Sequence, residues 1–333
     1  MFYIAQDLFI FDYCTMDFLK FEHPNITLGD TVIIYINVKT LYVQVVEEGR
    51  VFQTKFGAVK HDQLIGKPFG FRYQCARGYV HILRPTPELW TLSLPHRTQI
   101  LYFSDIALIT SQLDLRPGSI CIEAGTGSGS LTHSLARTLA PHGRVYTFDF
   151  HEYRVTEARA EFKSHGLGDI ITSDQRDVCN NGFPEELHGK ADALFLDLPH
   201  PWEAIDAAKK TLVSYGRICC FSPCVEQVQK TCTALRDSKF IEIITLECLL
   251  RPFEVKQIPT TYVDLEKKQW VDRPKRDQLL LKESDNPSQM DTESVRNAEE
   301  IKSHKKEKIY MCASPITEIA GHTGFLTFAT NFI

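Results

Sequence analysis

Short apolar runs recur at regular intervals in the second half of the chain, at residues 120–124, 145–148, 193–196, 218–221 and 241–246. Mixed polar and apolar segments long enough for helices lie between them, at 131–139, 153–164, 201–212 and 226–237. The alternation of these short apolar runs with helical segments predicts β-α-β units: a parallel sheet with helices on both sides. Helical apolar spacing over 100–113, broken by Pro117-Gly118, precedes the first run.

Upstream the pattern changes. Residues 31–36 and 42–46 are β-branched and aromatic, and the turn formers Leu28-Gly29-Asp30, Glu48-Gly49-Arg50 and Gly66-Lys67-Pro68 punctuate the region. A small barrel or compact sheet is expected over 25–95, with Pro85, Pro87 and Pro95 marking a junction. Residues 265–308 are rich in Lys, Glu, Asp, Ser and Gln and predict a solvated, disordered insertion. A last strand is expected at 324–330.

Composition narrows the function. The net charge of -5 gives no support to unaided binding of nucleic acid, so an RNA substrate would need a local basic patch or a partner that supplies the charge. The ten cysteines include no CxxC pair and fall mostly within apolar runs, as at Cys219 and Cys220. That predicts buried, reduced thiols, no metal site, and a nuclear or cytosolic setting. Asp7, Asp12 and Asp17 interrupt the apolar start, against a signal peptide or a mitochondrial presequence. No run reaches the roughly 18 apolar residues of a membrane span.

The strongest local signal is Glu123-Ala124-Gly125-Thr126-Gly127-Ser128-Gly129-Ser130, placed after an apolar run and before a helical segment. Glycines at 125, 127 and 129 allow a tight turn and close approach of a ligand, and the following helix offers free N–H groups. The next apolar run ends in Asp149, a carboxylate suited to the two hydroxyls of a ribose. An NAD-type cofactor and S-adenosylmethionine both carry that ribose, and glycine spacing alone does not separate them. Asp174 and Asp177 follow the third strand region, and Asp177 beside Val178 is the better candidate for an adenine contact. The fourth run ends in Asp197-Leu198-Pro199-His200-Pro201-Trp202. A carboxylate at the carboxyl end of a central strand faces the ligand crevice, and Trp202 offers an apolar wall or stacking face. His200 alone says little.

The glycine loop, the Asp197-Leu198-Pro199-x-Pro201-Trp202 loop and Phe221-Ser222-Pro223-Cys224-Val225-Glu226-Gln227-Val228 together resemble the catalytic-subunit family of the eukaryotic tRNA (adenine-58-N1)-methyltransferase. Arg84-Pro85-Thr86-Pro87-Glu88-Leu89-Trp90, the stretch around Gln99 to Tyr102, and Gly321-His322-Thr323-Gly324-Phe325 resemble it too. Residue 149 is Asp where relatives often carry Glu. The resemblance implies a Rossmann-like, seven-stranded S-adenosylmethionine-dependent methyltransferase fold with a small N-terminal β-domain. It divides the chain into a 1–24 extension, a 25–95 β-rich domain and a 96–333 catalytic domain. It implies methyl transfer to N1 of a tRNA T-loop adenosine by Asp197. Leu101, Gly125, Gly127, Ser128, Gly129, Ser130, Asp149, Arg154, Asp177 and Val178 would hold the cofactor. Gln99, Ile100, Tyr102, Phe103, Leu198, Pro199, Phe221, Ser222, Pro223, Cys224, Gln227, Thr323 and Gly324 would approach tRNA. A non-catalytic paralogous subunit would complete a two-plus-two hetero-tetramer. The alternatives are a non-catalytic tRNA-binding subunit of such a complex, or a methyltransferase of a protein or small molecule.

Overall fold

Apolar runs buried from both sides need helices on both sides, and the chain supplies them. The computed structural model describes residues 24–93, 100–261, 307–318, 321 and 323–332. They form two compact units, one of residues up to 249 together with those from 322 onward, the other within 250–321.

The first unit opens with a β-rich part. Strands β1 (Thr31–Asn37), β2 (Thr40–Val45), β3 (Val51–Thr54), β4 (Gly57–Lys60), β5 (Arg72–Cys75) and β6 (Gly78–Leu83) form a four-stranded antiparallel sheet, β2-β1-β6-β5, and a β3-β4 hairpin. Their inward residues, among them Val32, Ile34, Val59, Val80 and Ile82, close one core. Helix α1 (Pro87–Ser93) follows, its first turn opened by a proline whose fixed φ suits a helix start.

Helix α2 (Phe103–Gln112) then leads into the large sheet. Its elements are β7 (Ile120–Ala124), α3 (Ser130–Leu139), β8 (Arg144–Asp149), α4 (Glu152–Ser164), β9 (Ile171–Gln175), α5 (Val178–Asn181), β10 (Ala191–Leu196), α6 (Ile205–Thr211), β11 (Leu212–Ser222), α7 (Val225–Asp237) and β12 (Phe240–Glu247). The seven-stranded order is β12-β15-β11-β10-β7-β8-β9, with β15 (Phe325–Asn331) antiparallel to both neighbours and the β11-to-β9 run parallel. Alternate residues go to opposite faces, as the strand period of two requires. Ala193 and Phe195 join a core with Leu135, Ile109 and Phe162, whereas Leu194 and Leu196 join one with Ile205, Ala208 and Leu235. Each large side chain so buried is worth roughly 1.5–3 kcal/mol, enough for the sheet to hold strained turns at its tips.

The second unit contains β13 (Phe253–Thr261) and β14 (Glu307–Pro315), an antiparallel pair in register from Phe253 opposite Pro315 to Thr261 opposite Glu307. Phe253, Val255, Ile258, Ile309, Tyr310 and Met311 are exposed.

Four expectations change. The 100–113 helix begins only at Phe103, leaving Ile100 and Leu101 outside it. Asp174 lies inside β9 rather than after it. The 201–212 helix divides into a 3-10 turn, Pro201–Ala204, and α6, because the Pro201 ring starts a turn that the α geometry takes over only at Ile205. The pair β13 and β14 was not expected, and Glu307 and Lys308, assigned to the insertion, belong to β14. The rest of the insertion, the extension up to residue 23 and the 95/96 boundary lie outside the described residues.

Candidate active site

The strand order reverses between β7 and β10, and the crevice beyond their carboxyl ends is where open parallel sheets bind ligands. Backbone bonds stitch three strand tips together there. Gly125 donates its N–H to the Phe148 carbonyl at 2.8 Å, and Asp197 donates its own to the Ala124 carbonyl at 2.9 Å. The chain turns between them through Gly125 (φ +102°) and enters α3 through Gly129 (φ +75°), conformations that favour glycine. A Cβ on Gly125 would overlap the Asp197 carbonyl oxygen.

Three carboxyl groups gather at this point. Asp149, at the end of β8, is buried; its Oδ2 accepts from the Gly127 N–H at 3.1 Å and its Oδ1 from the His151 N–H at 3.0 Å. Arg154 lies 3.8 Å from Oδ1. Each oxygen keeps a further lone pair for a ligand hydroxyl. Asp197 follows β10 and lines the crevice beside Gly125. Its carboxyl is pushed up to about 6, by burial first and then by repulsion from Asp149. Glu123, fully buried beneath the loop, is pushed up to about 7, again by burial first. The Thr132 and Thr147 hydroxyls, donating to its Oε2 at 2.6 and 2.7 Å, oppose that rise, and Asp197 and Asp149 add to it.

The crevice has a volume of about 810 Å³, within the roughly 300–1,000 Å³ of small-molecule sites. Of the expected cofactor residues, Leu101, Gly125, Gly127, Asp149, Arg154, Asp177 and Val178 line it. Ser128 and Ser130 line an adjoining space of about 30 Å³, shared with Glu123 and Asp197, and Gly129 forms the N-cap of α3. Asp177 caps α5, its Oδ1 accepting from the Cys179 and Asn180 N–H groups at 3.1 and 3.2 Å. The Asn180 side-chain amide donates to Oδ2 at 2.7 Å, and that bond leads the causes holding the Asp177 carboxyl below the usual range.

Of the expected substrate residues, Ile100, Leu198, Pro199, Phe221, Pro223, Gln227 and Thr323 line the crevice. Gln227 ties α7 to the Asp197 loop: its side-chain amide donates to the Pro199 carbonyl at 3.1 Å while its Oε1 accepts from the Cys224 N–H at 3.3 Å. The Thr323 hydroxyl donates to Asp105 Oδ1 at 3.1 Å. Gly324 lies against the Phe221 ring, where a Cβ would overlap it. The others lie apart from the crevice lining. Tyr102 packs near Trp90 and Ile100, Ser222 is buried within its strand, and Cys224 is an exposed N-cap. Phe103 lines a separate cavity of about 510 Å³, in which no strand tip presents an acid. Gln99 lies outside the described residues. Trp202 does not line the crevice either. Its ring meets His200 at 5.1 Å and the Lys230 ammonium at 4.7 Å.

Sequence reading missed Phe150, an exposed aromatic that lines the crevice next to Asp149, as Val178 also does. The available signal was its position: an aromatic residue just past a strand-ending acid lies beyond the buried core.

The arrangement places two carboxylates, Asp149 and Asp197, on the lining of one crevice. The family described as tRNA methyltransferase complex GCD14 subunit matches residues 78–331. The tRNA (adenine(58)-N(1))-methyltransferase catalytic subunit trmt61a of Dictyostelium discoideum is 41% identical over 313 residues, 92% of this chain and 97% of that one. Two solved structures share the fold. The SAM-dependent O-methyltransferase of Thermotoga maritima has a TM-score of 0.70 at 24% identity, covering 93% of this chain and 96% of its own. The tRNA (m1A58) methyltransferase TrmI of Aquifex aeolicus has a TM-score of 0.66 at 21% identity, covering 93% and 99%.

Proposed function

The chain belongs to the family of the tRNA methyltransferase complex GCD14 subunit, and from that membership we propose that it transfers a methyl group from S-adenosylmethionine to N1 of adenosine 58 in the tRNA T-loop, as the catalytic subunit of a complex. The observation that carries the reading is the placement of Asp197 on the wall of the same crevice as Asp149, near enough for the Asp149 charge to raise its carboxyl.

The residues present fit the cofactor. Asp149 keeps a lone pair on each oxygen for the ribose hydroxyls, the side-chain-free Gly125 lets the Asp197 strand tip pack against the loop, and Phe150 and Val178 offer apolar surface to an adenine ring. Asp177, which lines the same crevice, is the acceptor for the adenine amino group. Ser128 and Ser130, at the start of α3, and Arg154 complete the holding set. When bound, the cofactor supplies an electrophilic methyl on a sulfonium.

The protein's task is then to expose and orient a base. Adenine N1 already carries a lone pair and needs no deprotonation before attack. The target base leaves its stack, at a cost of a few kcal/mol. Asp197 accepts a hydrogen bond from its N6 amino group, which orients N1. In its ionised form the same carboxylate offsets the positive charge that grows on the ring. Leu198, Pro199, Phe221, Pro223, Gln227 and Thr323 form the rim on which the base is received.

The partner we propose is a non-catalytic paralogous subunit, in a two-plus-two hetero-tetramer that carries much of the tRNA binding. Two features support it. The chain is acidic overall. The β13–β14 pair exposes Phe253, Val255, Ile309 and Met311, although two strands alone are marginal in water. A nuclear setting, with the cytosol as the other, suits free thiols such as Cys121, Cys219 and Cys220.

The test is labelled-methyl transfer by the reconstituted complex to unmodified tRNA and to a tRNA carrying uridine at position 58. Label in the first alone supports the proposal. Equal label in both, or label in neither, refutes it.

A further inference from the structure

The glycine loop has no ordinary cap. Gly129, the N-cap of α3, is left-handed rather than extended and offers no side chain to the helix start. Its carbonyl accepts the first helical bond, from the His133 backbone N–H at 3.2 Å, and takes a second from a side chain inside the protein. His133, on the next turn and fully buried, places Nδ1 2.6 Å from the Gly129 oxygen. A carbonyl only accepts, so Nδ1 carries the proton and donates. His133 Nε2 lies 2.8 Å from His165 Nδ1, and one proton bridges the two rings. Burial, and after it the neighbouring His133, hold His165 down to about 3, so this imidazole stays neutral at working pH. The Trp90 indole abuts His165 at right angles, with centroids 4.6 Å apart.

A second chain of bonds runs alongside. The Ser130 hydroxyl donates to the Leu101 carbonyl at 3.1 Å, which leaves it to accept from the Thr91 hydroxyl at 2.8 Å. Trp90 and Thr91 both sit on α1. The Arg84-to-Trp90 stretch, which marks the family yet contributes no residue to the crevice lining, thereby acquires a task. Both chains end on one peptide, Gly129–Ser130. Its carbonyl is fixed from behind, so its N–H points the opposite way, and it is among the donors that a helix's first turn leaves to a ligand.

We propose that His133, backed by His165 and by Trp90 and Thr91 of α1, is a positioning residue that sets the plane of the Gly129–Ser130 peptide for cofactor capture. The proposal rests on reading the crevice as a S-adenosylmethionine site. The brace touches neither cofactor nor base, so it acts on affinity rather than on the chemical step.

The experiment compares His133→Phe, which keeps a ring but loses the donor, with His133→Asn, whose side-chain amide donates from nearly the same place as Nδ1. Both are made in the reconstituted complex, and cofactor binding is measured by calorimetry beside turnover and melting. One lost hydrogen bond to a preorganised carbonyl predicts about a tenfold weaker affinity for His133→Phe. Turnover at saturating cofactor should stay within about twofold of wild type, the pattern of lost uniform binding. His133→Asn should recover to within about threefold of wild-type affinity. Wild-type affinity in His133→Phe, or equal weakness in the two variants, overturns the proposal. Should His133→Phe not fold, nitrogen-15 shifts of the wild-type histidines decide: the brace requires the Nδ1–H tautomer at His133, and an Nε2–H tautomer there refutes it. Failure of the wild-type complex to bind S-adenosylmethionine would instead remove the reading of the crevice itself.

Discussion

Replacing Gly125 with alanine tests the loop geometry with a single methyl group. The new Cβ would overlap the Asp197 carbonyl oxygen and lie 3.1 Å from the carbonyl carbon and 3.3 Å from Asp197 Cβ, against 3.4 Å for the start of ordinary contact. The carbonyl belongs to the backbone and has no rotamer by which to escape. Either the loop or the strand tip must give on the order of 1 Å, a displacement that costs roughly 10²-fold in rate even when caused far from the reacting atoms. The backbone adds its own charge: φ +102° is foreign to alanine, at about 1–2 kcal/mol. That strain lowers the melting temperature by only several degrees in a domain of this size, roughly 2–4 °C per kcal/mol. The variant therefore stays folded while turnover collapses. The assay is single-turnover methyl transfer by the reconstituted complex, with circular-dichroism melting of the same preparation. A folded Gly125→Ala that turns over within about threefold of wild type would show that the contact between loop and strand tip does not set the site.

Asp149→Ala removes the acceptor held by Gly127 and His151, and calorimetry should show cofactor affinity falling by about tenfold to a hundredfold, at about 1.4 kcal/mol per decade. Unchanged affinity would remove the ribose assignment. The pH profile of the methyl-transfer rate should carry an acid limb: the Asp197 carboxyl is raised to about 6, so the ionised acceptor is present above that value and is lost as pH falls through it. Glu123, raised to about 7, titrates close by, so the limb belongs to the coupled pair, and Glu123→Gln should leave a single limb near 6. A profile flat from pH 5 to 8 in the wild type, with pH-stable protein, would contradict an ionised Asp197.

Much of this architecture was visible as periodicity, for a physical reason. Strands covered on both faces show as short, mostly apolar runs, so β7, β8, β10 and the core of β11 stand out in the sequence. An acid that ends such a run stands out by contrast, which is how Asp149 and Asp197 were found. The pair β13–β14 escaped because its apolar residues alternate with Glu254, Lys256 and Gln257 and remain exposed, so no burial pattern separated it from the charged segment that follows. His133 and His165 escaped for the opposite reason. They lie 32 residues apart, and only the packing of α3 against the end of α4 brings the two rings together. Trp202 was offered as an apolar wall or stacking face of the crevice, but the turn at Pro201–Ala204 directs its ring to Lys230.

The central claim is that one carboxylate aligns an adenine with a methyl donor, and nucleoside mass spectrometry of tRNA tests it most directly. Unmodified tRNA incubated with the reconstituted complex and S-adenosylmethionine should yield 1-methyladenosine at position 58. With Asp197→Ala the yield rate should fall by roughly 10²-fold or more, while cofactor affinity stays near wild type. A variant that methylates at the wild-type rate, or a wild-type complex that makes no 1-methyladenosine, would contradict the account.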